Sequence, residues 1–238
     1  MNFRDLNIKI FADGANLNEM LEVYKVGIVK GFTTNPSLMK KAGIDDYKKF
    51  AKNVLEEIKD LPVSFEVFSD DFETMEREAD VLSELGENVY VKIPIMNTKG
   101  ESSIPLIKKL SEKGYHLNVT AIFTLDQVKD AVTSLNPEVK SIVSVFAGRI
   151  ADAGTNPMKL MMTSSKLCKA NKGVELLWAS CRELYNIVEA DECGCEIITV
   201  TNDILKKLPT MGKDLYEYSL ETVRSFYKDA SSLGFSIL

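Results

Sequence analysis

Short apolar runs rich in β-branched residues recur along the 238-residue chain and alternate with longer amphipathic segments. Runs of this length that are apolar on both faces are typical of buried strands in parallel sheets. The runs are KIFAD (9–13), IVKGFTT (28–34), VSFEVF (63–68), VYVKI (89–93), YHLNVTAIF (115–123), SIVSVF (141–146), VELLWAS (174–180) and EIITV (196–200). The pattern therefore predicts eight parallel strands.

The segments between these runs carry the period of amphipathic helices. In residues 71–86, apolar side chains at Phe72, Met75, Ala79 and Leu82 share one face, and acidic side chains occupy the other. The same pattern is found at 102–113, 124–135 and 182–192. Eight strand–helix units in about 200 residues favour a closed (β/α)8 barrel, with an open doubly wound sheet as the alternative. We read residues 1–238 as one domain, because no linker or repeat interrupts the pattern.

One more helix is predicted at about 213–229, outside the eightfold pattern, so that 213–238 forms a C-terminal extension. Its large apolar residues are followed by a further apolar stretch, GFSIL. These residues are Leu215, Tyr218, Val223, Phe226 and Tyr227. The helix packs either on its own barrel or on a neighbouring subunit, and the sequence leaves both arrangements open.

Charge and hydropathy narrow the class of protein. A formal net charge of −6 and a pI of about 5.1 give no general attraction for nucleic acid or acidic membranes. No apolar run approaches the roughly 18 residues of a membrane span. The start, MNFRDLNIKI, lacks the basic and apolar regions of a secretion signal. We therefore expect a cytoplasmic protein that binds neither nucleic acid nor membrane.

Cysteine and histidine are too sparse to suggest a metal site or a thiol enzyme. The chain has four cysteines, at 168, 181, 193 and 195, and one histidine, His116. We expect reduced, mostly buried thiols and no metal. A Cys–His pair and a Ser–His–Asp triad have no support in the sequence, and it contains neither a phosphate-binding loop nor a dinucleotide fingerprint. No cofactor is expected.

Polar side chains close nearly every predicted strand at the same end. In a (β/α)8 barrel this is the end where active sites lie. The residues are Asp13, Thr34, Asn35, Glu66, Lys92, Asn118, Thr120, Ser144, Arg149, Ser180 and Arg182. Each has an ordinary explanation: an asparagine caps a helix, for example, and an arginine covers a surface. Together they predict an active site.

Lys92 is the unusual member of this set, because it lies inside the apolar run VYVKIP. Apolar surroundings favour the neutral amine of a lysine, which can attack a carbonyl carbon and form an imine. Asp13 could then exchange a proton with a substrate hydroxyl, and Glu66 with Thr120 could handle the water of imine formation. Two arginines suggest a phosphate group on the substrate. This set of groups predicts a sugar-phosphate aldol reaction.

Eight ordered motifs, each at a strand end, resemble the transaldolase family and specifically its short subfamily, which includes fructose-6-phosphate aldolase. The motifs are FADGAN, GFTTNPSL, VSFEV, VYVKIP, LNVTAIF, SVFAGR, ASCREL and GCEIITV. The resemblance implies a Schiff-base role for Lys92, acid–base catalysis by Asp13, and placement of the catalytic water by Glu66 and Thr120. It implies that the dihydroxyacetone moiety is bound by Asn35, Asn118, Ser144 and Phe146. It also implies phosphate binding by Arg149 and Arg182 beside Ser180. Thr34 is a further candidate for substrate binding.

The resemblance also implies an activity and an assembly. Transaldolases transfer a dihydroxyacetone unit from a ketose phosphate, sedoheptulose 7-phosphate or fructose 6-phosphate, to an aldose phosphate in the non-oxidative pentose phosphate pathway. The aldolase branch typically has glutamine at the position of Glu66 and tyrosine at that of Phe146, so this chain resembles the transaldolase branch. Release of free dihydroxyacetone, and a non-catalytic binding or assembly role, are the alternatives. Short members of the family form homo-oligomers, often pentamers or decamers, and the full-length family also includes dimers.

Overall fold

The computed structural model describes residues 3–235 and 237, and within them eight parallel strands form a barrel that closes between the first and last strand. The strands are β1 (Lys9–Asp13), β2 (Phe32–Thr33), β3 (Val63–Glu66), β4 (Val89–Pro94), β5 (Leu117–Ile122), β6 (Ser141–Val145), β7 (Val174–Trp178) and β8 (Ile197–Thr201). The predicted (β/α)8 fold is confirmed, and the open sheet is not formed. Residues 1, 2, 236 and 238 of the predicted domain lie outside the described residues.

Helices follow the strands and cover the outside of the barrel. They are α1 (Leu17–Val26), α2 (Pro36–Ala42), α3 (Tyr47–Glu57), α4 (Phe72–Ser83), α5 (Ile104–Glu112), α6 (Leu125–Ser134), α7 (Ala147–Asp152), α8 (Met158–Lys169), α9 (Asn186–Glu192), α10 (Asn202–Leu205) and α11 (Leu215–Ser232). Two short 3-10 turns lie at Phe3–Asp5 and Leu208–Thr210. The helices that precede α11 pack their apolar faces on the strands, and this layer contains most of the buried apolar residues.

A smaller apolar cluster fills the barrel interior. Phe11, Tyr90 and Ile142 belong to it, as the alternation along β1, β4 and β6 predicts. Asp13, Lys92 and Ser144 are each two residues further along the same strands, and their side chains line a cavity above this cluster. The interior is thus apolar below and polar at the carboxyl end of the strands.

Two predicted elements are shorter than the sequence suggested. The second strand was predicted from residue 28, but only Phe32–Thr33 is regular strand, although the Lys30 amide already donates to the Ile10 carbonyl of β1 at 2.8 Å. The helix predicted from residue 182 begins at Asn186. Its side-chain oxygen accepts from the amides of Arg182 and Glu183 at 2.9 and 3.2 Å, which holds the preceding residues in a loop.

The C-terminal helix α11 stands apart from the barrel core. None of its residues from Leu215 to Ser232 is buried, and the side chains of Phe226 and Tyr227 are 68% and 76% exposed. Packing of this helix on its own barrel, one of the two arrangements left open by the sequence, is therefore not found.

Candidate active site

A cavity of about 470 Å³ opens at the carboxyl end of the barrel strands. Its lining residues come from all eight strands and from the segments that follow them. They include Asp13, Thr33, Asn35, Glu66, Lys92, Thr120, Ser144, Phe146, Arg149, Ser180, Arg182, Thr199 and Thr201. This volume is in the range of small-molecule sites, and the position is the one where (β/α)8 barrels carry their active sites.

The amine of Lys92 lies deep in this cavity, with the residue only 6% exposed. Its Nζ donates to the backbone carbonyl of Thr34 at 3.0 Å and lies 3.1 Å from Oε2 of Glu66. The register of the sheet produces this pairing, because Glu66 of β3 is directly opposite Lys92 of β4. A buried amine thus has one carboxylate partner, which can take up or return its proton.

Asp13 ends β1 on the other side of the cavity, where its Oδ1 accepts a hydrogen bond from Oγ1 of Thr33 at 2.8 Å. Burial raises the pKa of the Asp13 carboxyl above its usual value, since it outweighs the opposing effects of the Lys92 charge and of the Thr33 hydrogen bond. The negative charge of Glu66 raises that pKa further. A carboxyl with a raised pKa is suited to exchange protons near neutral pH.

The Thr120 hydroxyl lines the cavity without a hydrogen-bond partner among the described residues, although it is buried. Thr120 is opposite Pro94 of β4, two residues beyond Lys92. After it the chain is strained: Ala121 has a φ of 59°, and the register of β5 with β6 shifts between Val119 and Ile122. A buried hydroxyl with free hydrogen-bonding capacity beside an amine and a carboxylate can hold a polar ligand or a water molecule.

A buried hydrogen-bond chain lies across strands β3, β5 and β6. The amide of Asn118 donates to Oγ of Ser64 at 3.0 Å, and its oxygen accepts from Oγ of Ser144 at 2.6 Å. Of these three residues, Ser144 lines the cavity, whereas Asn118 is fully buried and does not. Asn118, predicted as a substrate-binding residue, therefore contacts the cavity through Ser144.

The two predicted residues that follow β2 behave differently. Asn35 lines the cavity, and its Oδ1 caps α2 by accepting from the Leu38 amide at 3.0 Å. The side chain of Thr34 does not line the cavity, because its hydroxyl is buried and donates to the Ser64 carbonyl at 2.9 Å. Thr34 instead contributes its backbone carbonyl, the acceptor for Lys92.

Two arginines lie at the cavity mouth, where their side chains are exposed. The guanidinium of Arg149 lies 5.3 Å from the ring centre of Phe146, and Arg182 donates from Nε and Nη2 to Oδ2 of Asp152 at 2.9 and 2.5 Å. Each guanidinium has five N–H groups, so both arginines retain donors for hydrogen bonds to a bound anion.

Arg149 lies in α7 and Arg182 in the loop after β7, and these two segments touch closely at Gly148 and Ser180. A Cβ at Gly148 would lie 1.6 Å from the Ser180 carbonyl oxygen, so no other residue fits there without a backbone shift. Ser180 itself has a φ of 65°, a left-handed conformation that is strained for serine. Strained backbone of this kind is concentrated at ligand sites, and here it lies where α7 meets the loop of Arg182.

Comparison with known proteins gives this arrangement a family. A sequence model described as transaldolase/fructose-6-phosphate aldolase matches residues 10–237. The chain belongs to this family. A probable transaldolase of Methanococcus maripaludis (strain C7 / ATCC BAA-1331) is 38% identical over 205 residues, which span 84% of this chain and 89% of the relative. Probable transaldolases of Caldicellulosiruptor saccharolyticus and Chelativorans sp. (strain BNC1) are 36% and 33% identical, over 84% of this chain and 89% and 88% of their own.

The cavity of this transaldolase-family enzyme also includes hydroxyl residues that the sequence analysis missed. Thr33, Thr199 and Thr201 line it, and Oγ1 of Thr33 lies 2.5 Å from Oγ1 of Thr199. The signal for Thr33 was present, since it is the residue opposite Asp13 once β1 and β2 are paired. Threonine favours strands on general grounds, however, so its hydroxyl did not stand out.

All four cysteines are free and buried, as predicted. Within residues 3–235 and 237, no group of three or more His, Cys, Asp or Glu side chains is arranged to hold a metal ion. In the same residues, no helix is both long and apolar enough to cross a membrane.

Proposed function

We propose that this protein is a transaldolase that forms a Schiff base at Lys92 and transfers a dihydroxyacetone unit from a ketose phosphate to an aldose phosphate. The observation that carries the proposal is the buried Lys92 amine, 3.1 Å from Glu66 in a cavity that it shares with Asp13. The family to which the chain belongs adds the choice of reaction. We assign the enzyme to the cytoplasm and to the non-oxidative pentose phosphate pathway as part of this proposal.

Imine formation needs a neutral amine and a route for water. Glu66 takes a proton from the Lys92 amine, which then attacks the ketose carbonyl. The resulting carbinolamine loses its hydroxyl as water when Glu66 returns the proton. The free hydroxyl of Thr120 holds this water in place, since it lines the same cavity and has no partner among the described residues. The product is a protonated imine between Lys92 and the sugar.

Carbon–carbon cleavage then needs a base at the substrate hydroxyl. Asp13 removes the proton of the hydroxyl on the far carbon of the bond that breaks, and that carbon becomes the aldehyde of the leaving fragment. The electrons of the broken bond move into the protonated imine, which becomes a neutral enamine. An aldose phosphate leaves, and the three-carbon unit stays on Lys92. The reverse steps add this unit to a second aldose phosphate, after which water releases the product. Asn35 and Ser144 line the cavity and hydrogen-bond the hydroxyls of the bound unit.

The phosphate group fits the mouth of the cavity. Arg149 and Arg182 supply charged donors there, and Ser180 lies where their two segments touch. Asp152 fixes the orientation of Arg182 through two hydrogen bonds to one carboxylate oxygen. A phosphate at this point leaves the length of the cavity for the sugar chain, with its carbonyl toward Lys92.

An acceptor assay distinguishes transfer from simple aldol cleavage. The protein is incubated with fructose 6-phosphate, and free dihydroxyacetone and sedoheptulose 7-phosphate are measured with and without erythrose 4-phosphate. We expect product mainly when the acceptor is present, because Glu66 and Phe146 resemble the transaldolase branch. Equal release of dihydroxyacetone without acceptor would favour the aldolase. Absence of both products would favour a non-catalytic barrel.

Replacing Arg149 with alanine should raise KM for a phosphorylated ketose by about 10- to 100-fold, since one charge-assisted contact to phosphate is lost. KM for the unphosphorylated sugar should change little, and so should kcat. Steady-state rates on fructose 6-phosphate and on fructose measure the difference. Arg77→Ala, which removes an exposed arginine of α4 that donates to Thr74, is the control. Equal effects of Arg149→Ala on both sugars would remove its phosphate role.

We further propose a homo-oligomer, either a pentamer or decamer or a dimer, in which α11 packs on a neighbouring subunit. The helix exposes a set of large apolar side chains that no part of the described chain covers. Light scattering should give a mass of at least two chains. The double substitution Phe226→Ser and Tyr227→Ser should lower that mass, whereas Lys108→Ser on α5 should not. A monomeric wild-type protein would contradict the proposal.

A further inference from the structure

We infer that Thr199 is a positioning residue that acts through Thr33 to hold the Asp13 carboxylate in its ionised form and in one orientation. Thr199 lies one strand away from Asp13, on β8, and it is buried. The inference deepens the proposed reaction, in which Asp13 is the base for carbon–carbon cleavage, and its kinetic consequences rest on that reaction. The hydrogen-bond geometry itself does not depend on that reaction.

Three oxygen atoms form a continuous chain. Oγ1 of Thr199 lies 2.5 Å from Oγ1 of Thr33, which in turn donates to Oδ1 of Asp13 at 2.8 Å. The barrel register creates this chain, because Asp13 is opposite Thr33 on β2, and Phe11, two residues before Asp13, is opposite Thr199 on β8. Thr33 is therefore level with Asp13 and Thr199 with Phe11, and the two hydroxyls approach each other across β1.

The number of available protons fixes the direction of these bonds. Each hydroxyl has one hydrogen, and an ionised carboxylate only accepts. When Asp13 is ionised, Thr33 donates to it, so the hydrogen between the two threonines must come from Thr199. If a proton on Oδ1 pointed at Thr33, both bonds would reverse and the Thr199 hydrogen would lack an acceptor among the described residues. The chain from Thr199 to Asp13 therefore requires an unprotonated Oδ1 as its final acceptor, and this oxygen accepts most strongly in the anion.

Thr199 strengthens the bond to Asp13 without touching it. A hydroxyl that accepts a hydrogen bond becomes a better donor, because each bond polarises the next one. The bond that reaches the carboxylate is charge-assisted and buried, where such effects are largest. Loss of the Thr199 hydroxyl should thus weaken the Thr33 bond and leave Asp13 easier to protonate.

Other charges around Asp13 stay in place when Thr199 is changed. Lys92 of β4 and Glu66 of β3 act on it inside the cavity, and both affect its pKa. Arg149 and Arg182 line the same cavity at its mouth. Glu19, Lys41 and Asp203 line an adjoining pocket that also contacts Asp13. A change confined to the Thr199 hydroxyl therefore isolates the contribution of the hydrogen-bond chain.

The test is Thr199→Val, which keeps the shape of the side chain and removes the hydroxyl. The pKa of Asp13 is followed in the whole protein by carbon-13 NMR of labelled aspartate carboxyls, with Asp13→Asn to assign the signal. We expect Thr199→Val to raise this pKa by about 0.5 to 1 relative to wild type. Thr199→Ser should restore it. Thr199→Ala replaces the valine variant if that variant does not fold.

A matched control uses the same strand. Thr201→Val removes a hydroxyl from the next cavity-facing position of β8, which is opposite Asp13. In the described residues this hydroxyl makes no hydrogen bond to Thr33, whose threonine partner is Thr199. An unchanged Asp13 pKa in Thr199→Val, an equal rise in Thr201→Val, or failure of Thr199→Ser to restore the value would each overturn the inference.

Kinetics provide the second arm of the test. If the protein is a transaldolase, the acid limb of the kcat profile should move to higher pH in Thr199→Val and return in Thr199→Ser. A protein without transaldolase activity would defeat the proposed function while the NMR titration still decided the role of Thr199. An active enzyme with an unmoved titration would defeat the inference alone.

Discussion

Replacing Lys92 with methionine should reduce turnover by about four orders of magnitude or more, because the amine is the nucleophile and no other group can form the imine. In the described residues, Lys92 is the lysine whose amine lies inside the cavity. Methionine is close in length to lysine and suits the apolar run VYVKIP, so the barrel should still form. The loss should therefore be one of chemistry and not of folding.

Borohydride trapping measures the covalent step directly. Wild-type protein treated with fructose 6-phosphate and sodium borohydride should gain the mass of one reduced three-carbon unit, and peptide mapping should place it on Lys92. Lys92→Met should gain nothing. Lys172→Met, which removes an exposed lysine paired with Glu138, should be labelled as wild type is. Labelling at another lysine, or wild-type rates in Lys92→Met, would contradict the mechanism.

Lys92→Arg separates the charge of the residue from its reactivity. An arginine keeps a cation beside Glu66, at the place where Lys92 Nζ lies 3.1 Å from Oε2, but it cannot form an imine. Both variants should fail in trapping. Thermal unfolding should find Lys92→Met less stable than Lys92→Arg if the pairing with Glu66 matters to the fold, since methionine leaves a buried carboxylate without its cation.

The sequence was sufficient for the barrel because local and long-range signals agree in it. VYVKI and SIVSV are apolar on both faces, which only a sheet covered by helices allows, and β4 and β6 form there. β2 was predicted too long because IVKGFTT is rich in apolar and β-branched residues, whereas its regular pairing is limited to Phe32–Thr33. The apolar composition of a segment indicates that it is buried, but it does not indicate which of its residues form the hydrogen bonds between strands.

The candidate site was predictable where a strand end determines the position of a side chain. Lys92 and Glu66 meet because their strands are neighbours in register. The placement of the Thr34 side chain outside the cavity lining could not be predicted, because the direction of a side chain beyond the last strand residue depends on its own hydrogen bond, here to the Ser64 carbonyl. The chain from Thr199 through Thr33 to Asp13 was not predictable, since it joins β8 to β2 across β1 only after the barrel closes.

The placement of α11 shows a different limit. Its apolar residues predicted a helix and a partner, and the helix forms at Leu215–Ser232. A hydrophobic pattern indicates that one face of a helix packs against another surface, but it does not identify that surface. In the described residues, that surface is not the barrel of the same chain. Packing on a neighbouring subunit, the other arrangement left open by the sequence analysis, stays a proposal.

Replacing Asp13 with asparagine should lower kcat by about 10²- to 10⁴-fold, because asparagine cannot accept the proton of the substrate hydroxyl. Imine formation should survive, since Lys92 and Glu66 are unchanged. Borohydride trapping of dihydroxyacetone should therefore still label Lys92 in this variant. If Asp13→Asn lost trapping of dihydroxyacetone as Lys92→Met does, Asp13 would act in the imine step and not in cleavage.

The same substitution should make the protein more stable at neutral and higher pH. The folded Asp13 carboxyl has a raised pKa, so its ionised form is destabilising in the fold, and asparagine removes that cost. The advantage should be full above the folded pKa of Asp13. It should shrink as the pH falls through that pKa, because the folded carboxyl takes up a proton before the unfolded one, and vanish below the unfolded value of about 3.9.

Urea unfolding of both proteins across this pH range measures the effect, with Asp80→Asn as a control of opposite sign. Hydrogen bonds from Lys113 and Tyr115 lower the pKa of the exposed Asp80 carboxyl. Its ionised form therefore stabilises the fold above the unfolded pKa, and this contribution is lost as the pH falls through the folded pKa. Asp80→Asn should lower stability at neutral pH. If Asp13→Asn were less stable than wild type at pH 8, the electrostatic attraction between Asp13 and the Lys92 charge would outweigh the cost of burying the Asp13 carboxylate.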